Sequence, residues 1–379
     1  MRMGGEKSAL LLLGRCLSLD GSQGAVRSLR QDLAAADRDW CPIVAVANRH
    51  QIAPALWLSL CRKECERALP SDLQRYLSEI FQRNARRNTL LRQQACEAVA
   101  ALNRAGIQPI VLKGGLQLFD PGFDRAARIM ADLDFLTPRA GFETAVDALR
   151  GIGYSVLATA ADRLDYSLTL ARGGVLATID LHRDLGPQRT LLSADAAVSA
   201  AEPLSVEGIE LLSLCPTHRI LHAIVNVSVN DPHYRMARIA LCRLYELALL
   251  SRHRSTAIDW SAVRLGMKNE GLEHVVPALF HLTRQLFDVA LPPEIRPTRR
   301  ARVYAERYWL QTRYAPLRSI GRLWGRFTHT FSRVRVDYFY PCGHNPLRLM
   351  VSRFHHARTI LHRRDTDIVE AISGCIRSD

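Results

Sequence analysis

The sequence predicts an α+β protein, with a small α/β unit set between an N-terminal helical region and a larger C-terminal helical one. Apolar residues recur at three- and four-residue spacing from about Ser8 to Leu102 and again from His218 to Phe287, the period of a helix. Between these tracts lie short apolar runs: Ile107 to Leu112, followed by Lys113-Gly114-Gly115; Ala131 to Leu136, closed by Thr137-Pro138; and Val175 to His182, after Gly173-Gly174. With 379 residues, 48% of them hydrophobic, the chain is long enough for two or three domains and a substantial core. The expected division is 1–102 helical, 103–203 the α/β core, 204–293 helical, and 294–379 helical and rich in arginine and aromatic residues.

In chain order, Leu73, Leu77, Ile80 and Phe81 mark one helix. Leu90, Leu91, Ala95, Val99 and Leu102 mark the next, and its Arg83, Arg86, Arg87 and Arg92 are read as a solvated face. Gly106 ends this tract where a left-handed cap is wanted. A buried strand over Ile107 to Leu112 leads into Lys113-Gly114-Gly115 and a short helix, and Pro121 and Gly122 mark a loop. Ala131 to Leu136 is a second strand, Phe142 to Arg150 a helix, and Leu164 to Ala171 with Val175 to His182 a hairpin. From Glu202-Pro203 onward the pattern reads as helical: His218 to Val229, Met236 to Leu250, Trp260 to Lys268 and Val275 to Phe287. A break follows at Pro292, Pro293 and Pro297.

Bulk properties narrow the function class. The nine cysteines are scattered; Cys61 and Cys65 stand four apart with no matching pair, so neither a disulfide framework nor a zinc ribbon is indicated. A reducing cytoplasm is the expected compartment. No run reaches the length of a membrane span, and Arg15 interrupts the apolar Ala9 to Leu13 before a signal-peptide core forms. A net charge of +14, mostly from arginine, fits an anionic partner or substrate, and it also fits a GC-rich genome.

The chemistry concentrates between Ile110 and Pro138. Asp132 and Asp134 stand two apart in a strand and so share one face, while Leu133 and Phe135 bury the other. Asp180, in a strand where Ile179 and Leu181 alternate with Asp180 and His182, supplies a third carboxylate if the strands are neighbours. Carboxylates so placed hold Mg²⁺ or Mn²⁺, and two such ions about 3.5 to 4 Å apart stabilise the attacking and leaving oxygens of a phosphoryl transfer. Asp180 is also the candidate base. Gly114 and Gly115 let backbone N–H groups approach a triphosphate, and Lys113 and Arg128 flank them as counter-charges. The structural alternatives are that Lys113 tops a strand, that Arg128 pairs with an aspartate, and that Asp180 is a surface strand residue. His182 either contacts substrate or a metal ligand, or caps the sheet.

Gly-Gly, then Asp-x-Asp after a loop, then a distant strand Asp resembles the polymerase β-like nucleotidyltransferase superfamily. More narrowly, Ile-Val-Leu-Lys113-Gly-Gly-x-Leu, Arg128-x-x-x-Asp-x-Asp-Phe-Leu and Ile-Asp180-Leu-His182 are similar to a bacterial family described only as uncharacterised nucleotidyltransferases. Asn48-Arg-His50-Gln-Ile-Ala-Pro54, Arg86-Arg-Asn88, the His218 helix, Leu244-Tyr-Glu246-Leu and Asp259-Trp260 extend the similarity over most of residues 40 to 295. The resemblance implies a mixed-sheet palm core, Mg²⁺ dependence, and transfer of a nucleoside monophosphate from a nucleoside triphosphate to a small-molecule or peptide acceptor. Two departures stand out: Gly115 where the superfamily often has serine, and Glu246 where family members tend to carry aspartate.

Other groupings read as structure. His218 and His222 have metal-pair spacing but no intervening Glu and no evident third ligand, so they are read as core or solvated residues, as are His355, His356 and His362. The Arg- and aromatic-rich segment from Arg296 to Arg335 is read as an amphipathic helical region or a surface for a protein partner, with nucleic acid as the alternative occupant. The competing function class is a nucleotide- or RNA-binding regulator, or a pathway partner protein, that keeps the fold without turnover.

Overall fold

The computed structural model describes residues 5–35, 37–157, 166–186, 192–253, 255–342 and 345–362. Its longest element is a 34-residue helix, Ser71–Arg104. The two helices expected around Leu73 and Leu91 are this one helix, because no glycine or proline lies between them to stop it. Leu91, Ala95, Ala98, Val99 and Leu102 are fully buried along its C-terminal half, against the sheet. The expected solvated arginine face is corrected for two members. Arg83 only meets Glu79 in solvent, but Arg87 donates to the Met130 carbonyl and Arg92 holds Glu207 with two hydrogen bonds of 2.9 and 2.8 Å.

Seven short strands form one mixed sheet: β1 Ile110–Val111, β2 Asp132–Leu136, β3 Ser155–Val156, β4 Ser167–Ala171, β5 Thr178–His182, β6 Glu202–Val206 and β7 Ile209–Ser213. Their order is β3-β4-β5-β2-β1-β7-β6, with β2/β5 and β1/β7 parallel and the other pairs antiparallel. The expected hairpin is β4/β5; Leu164 and Asp165 lie outside the described residues. The expectation of helix from Glu202 onward is corrected, since β6 and β7 extend the sheet to Ser213. Pro203 is tolerated because β6 is an edge strand. The turn is Glu207-Gly208, both at positive φ, a tight hairpin without the usual Asn-Gly signature.

One sheet face, carrying Val111, Leu133, Phe135, Ile179, Leu181 and Leu211, packs under Ser71–Arg104 and the helix Phe142–Gly151. From the other face, Ile110, Leu112 and Leu136 join the larger core of the helical body. That body includes Gly5–Leu17, Cys41–Arg49, Ala53–Arg62, Pro216–Val225, Leu241–His253, Trp260–Asn269 and Val275–Phe287. The helix expected from Met236 begins instead at Leu241. Residues 231–240 fold irregularly, with Ala237 at φ 49°, and His50 Nδ1 accepts a hydrogen bond from the Leu241 N–H at 2.9 Å. Beyond the proline break lie Arg299–Arg313, Ala315–Thr330, Arg333–Phe339 and Pro346–His362. No helix of the described residues is long and apolar enough to cross a membrane.

Candidate functional site

The parallel register of β2 and β5 sets Asp132 opposite Thr178, Asp134 opposite Asp180 and Leu136 opposite His182. Because side chains alternate along each strand, the two aspartates of the middle rung point the same way, while Leu133, Phe135, Ile179 and Leu181 are fully buried on the opposite face. Ligand atoms of Asp134, Asp180 and His182 all lie within 4.8 Å of one another, a grouping able to hold a metal ion. Asp134 Oδ1 meets Lys113 Nζ at 2.5 Å and His182 Nε2 at 3.0 Å, and Thr169 donates its hydroxyl to Asp180 Oδ1 at 2.7 Å. The Tyr166 ring stacks on His182, whose Nδ1 is buried without a hydrogen-bond partner.

The three aspartates expected from the sequence thus share one sheet face, but the tightest trio contains His182 in place of Asp132. Asp132 is half-buried at the entry of β2. Burial pushes its carboxyl above the ordinary value, and the charge of Asp134 adds to the rise, with Lys113 opposing. Burial would also raise Asp134. The Lys113 ammonium and His182 outweigh it and hold that carboxyl well below the usual range. Lys113 is raised in turn, since Asp134 and then Asp132 outweigh its desolvation. One ammonium therefore serves two carboxylates, with Asp180 close enough to raise Asp132 further.

Lys113 sits at φ 47° and opens a tight helical turn, Lys113–Leu118, that contains Gly114 and Gly115. A Cβ on Gly114 would lie 2.5 Å from Arg128 Nε and 2.9 Å from Met130 Cγ, so the glycine makes room for the Arg128 side chain. Arg128 passes it to reach Glu246 at 2.5 Å, where Arg243 adds a second guanidinium at 3.8 Å. Burial would raise Glu246, but Arg128 and Arg243 outweigh it and hold the carboxyl low. Of the four expected phosphate-binding residues, Lys113 and the glycines stand beside the aspartates, while Arg128 is engaged with Glu246.

Sequence reasoning missed the groups that hold this loop. Asn84 donates to the carbonyls of Ala126 and Arg128 at 2.7 and 2.9 Å, and Asn88 to those of Arg125 and Arg128 at 2.5 and 2.8 Å. Both are buried on the long helix one turn apart, and with Arg87 they tie 125–130 to it. Buried asparagines within an otherwise amphipathic helix were the available signal. Thr169 was a second missed residue, hidden in an ordinary strand. A cavity of about 40 Å³ beside Lys113 is lined by Gln117, Arg219, His222, Asn226 and Arg243 among others. Burial, followed by Lys113 and His182, pushes His222 down to about 3, so it is neutral there. Among the described residues neither His218 nor His222 joins a metal-binding trio. His356 is buried against Phe331, Phe339 and Tyr340, and the His362 side chain lies outside the description.

A family described as uncharacterised nucleotidyltransferase matches residues 36–288. No curated protein matches the chain. Among solved structures, the solution structure of the antibiotic-resistance factor ANT(2'')-Ia is similar over 52% of this chain and 98% of its own, at 12% identity and a TM-score of 0.37.

Proposed function

The chain belongs to the uncharacterised nucleotidyltransferase family, and from that premise we propose that it moves a nucleoside monophosphate from a nucleoside triphosphate to a small-molecule or peptide acceptor. The observation that carries this reading is the Asp134–Asp180 rung across the parallel β2/β5 pair, with Asp132 two residues upstream on the same face. Asp132, Asp134 and Asp180 form an oxygen-rich donor set with a deficit of positive charge, and a ring nitrogen of His182 lies within 4.8 Å of ligand oxygens of Asp134 and Asp180. That set fits a hard divalent cation.

Mg²⁺ or Mn²⁺ would supply there the positive charge that a phosphoryl transfer between two oxygens requires. The protein's own residues do the rest. Asp132 and Asp134 anchor the charge, and His182 fixes Asp134 through its Nε2. Thr169 holds Asp180 in place by occupying one lone pair of Oδ1, leaving the other oxygen to take the proton of the attacking hydroxyl. That hydroxyl oxygen bonds to the α-phosphorus as the bond to pyrophosphate breaks. Lys113, on a flexible stem beside the aspartates, carries the counter-charge to the triphosphate, and the Gly114 and Gly115 N–H groups approach it from the turn. We place the catalytic unit at residues 103–213, so that it includes β6 and β7, with 214–293 as its helical partner.

The test is incubation of the full chain with each nucleoside triphosphate, Mg²⁺ and a metabolite pool. Pyrophosphate release together with a nucleotidyl mass gain on some acceptor, both stopped by a chelator, is the expected result. Tight nucleotide binding without any release across all four bases would favour a regulator instead.

A further inference from the structure

Away from the sheet, a cleft of about 420 Å³ opens between the first helix, the 231–240 segment and the helices Arg299–Arg313 and Ala315–Thr330. None of its lining residues borders the cavity beside Lys113. Four guanidiniums line it, from Arg49, Arg238, Arg318 and Arg326. One carboxylate, Glu6, is set against them, meeting Arg49 and Arg318 at 2.8 Å each. Among the described residues Arg238 and Arg326 make no ion pair, and both are exposed at the cleft. His50 adds no charge, because burial and the neighbouring arginines push it down to about 4. Arg238 stands among like charges, those of Arg322, Arg318 and Arg49.

These arginines line one cleft, and Glu6 ties two of them, Arg49 and Arg318, together. Arg318 and Arg326 sit on a helix that packs through glycines, Gly321 against the Gln311 side chain and Gly325 with room for no Cβ beside Met236. Met236 and Gln311 also line the cleft, so the close approach that fixes the helix sets both arginine positions at its edge, and Arg318 is held there by Glu6 and the Thr312 carbonyl. Arg49 is fixed from the opposite wall by Glu6. The result is a concave site of small-molecule size with an uncompensated excess of planar, two-pronged donors, which matches phosphate geometry.

We propose that this cleft is a second ligand site that takes a phosphorylated small molecule, with Arg238 and Arg326 gripping its phosphate or pyrophosphate group and Arg49 and Arg318 completing the ring of charge.

The probe is inorganic pyrophosphate, titrated calorimetrically into the full chain in a chelator-containing buffer so that no metal bridges anions to the carboxylates. Saturable binding is expected, unchanged in Asp134→Asn and weakened by about tenfold or more in Arg238→Ala/Arg326→Ala. Circular dichroism of the double variant should match wild type, since both side chains are exposed. Competition by a nucleoside triphosphate would assign the phosphate to a nucleotide, and pyrophosphate binding without that competition to a smaller phosphate ester; either upholds the site. The proposal falls if pyrophosphate does not bind, if the double arginine change leaves its affinity intact, or if Asp134→Asn abolishes it. It falls equally if only a single-stranded RNA binds, with the steep salt dependence of a backbone contact. None of these readouts depends on turnover, so a failed transferase reading leaves the outcome interpretable.

Discussion

Two clefts of this molecule are charged in opposite senses. On the sheet face, Asp132 and Asp134 draw on the one ammonium of Lys113, with Asp180 beside them. In the cleft beside the C-terminal helices four arginines meet one lining carboxylate, Glu6, which pairs with Arg49 and Arg318. A third group, Arg128–Glu246 with Arg243, is largely buried, and its carboxylate is fully served. Leaving charge unbalanced in a partly buried place costs several kcal/mol unless something compensates. A balanced buried pair is explained by the fold alone. An unbalanced cleft is where a ligand of the opposite sign would bind: a cation at the partly buried first and, as proposed above, an anion at the second, whose Arg238 and Arg326 are exposed.

The sharpest way to break this contrast is to change the acidic cleft. Asp134→Asn keeps shape and removes charge; nucleotidyl transfer, read as pyrophosphate release, should fall by about 10³-fold or more, several kcal/mol of transition-state stabilisation. In the balanced group the effect should be on stability instead. Arg128→Ala strands Glu246 and should cost about 3–5 kcal/mol in urea unfolding, and Arg128→Met/Glu246→Leu should recover much of that loss. Gly114→Ala drives a Cβ onto Arg128 and Met130, for a cost of about 1–3 kcal/mol by the same measurement.

The smallest effect concerns acid. The folded-state value of Glu246 lies below its unfolded one, so its stabilisation is complete above the unfolded carboxylate value and disappears as pH falls through the folded one. Wild type should therefore lose stability on acidification more steeply than Glu246→Gln, as urea midpoints across an acid series would show.

Local pattern was enough to expose the face proposed here as catalytic. The alternation Asp132-Leu-Asp134-Phe and Ile179-Asp180-Leu-His182 states which side chains turn together, and the glycine pair locates the turn beside them. What the pattern could not state was partnership. That β2 and β5 pair in the register joining Asp134 to Asp180 is a long-range fact, as is the reach of Arg128 to Glu246 across the helical body. The β6/β7 hairpin was concealed for another reason: an edge position tolerates Pro203, and Glu207-Gly208 turns without the usual Asn-Gly. The arginine cleft was invisible because Arg49, Arg238, Arg318 and Arg326 come from three separate stretches of chain. Composition announced only the excess of arginine, with no place for it.

The central claim, that the carboxylates of β2 and β5 form a cation site, is tested most directly by electron paramagnetic resonance of Mn²⁺ titrated into the metal-free chain. Bound Mn²⁺ should be lost in Asp134→Asn and in Asp180→Asn and retained in Glu246→Gln. Equal Mn²⁺ binding by all four proteins would contradict the assignment.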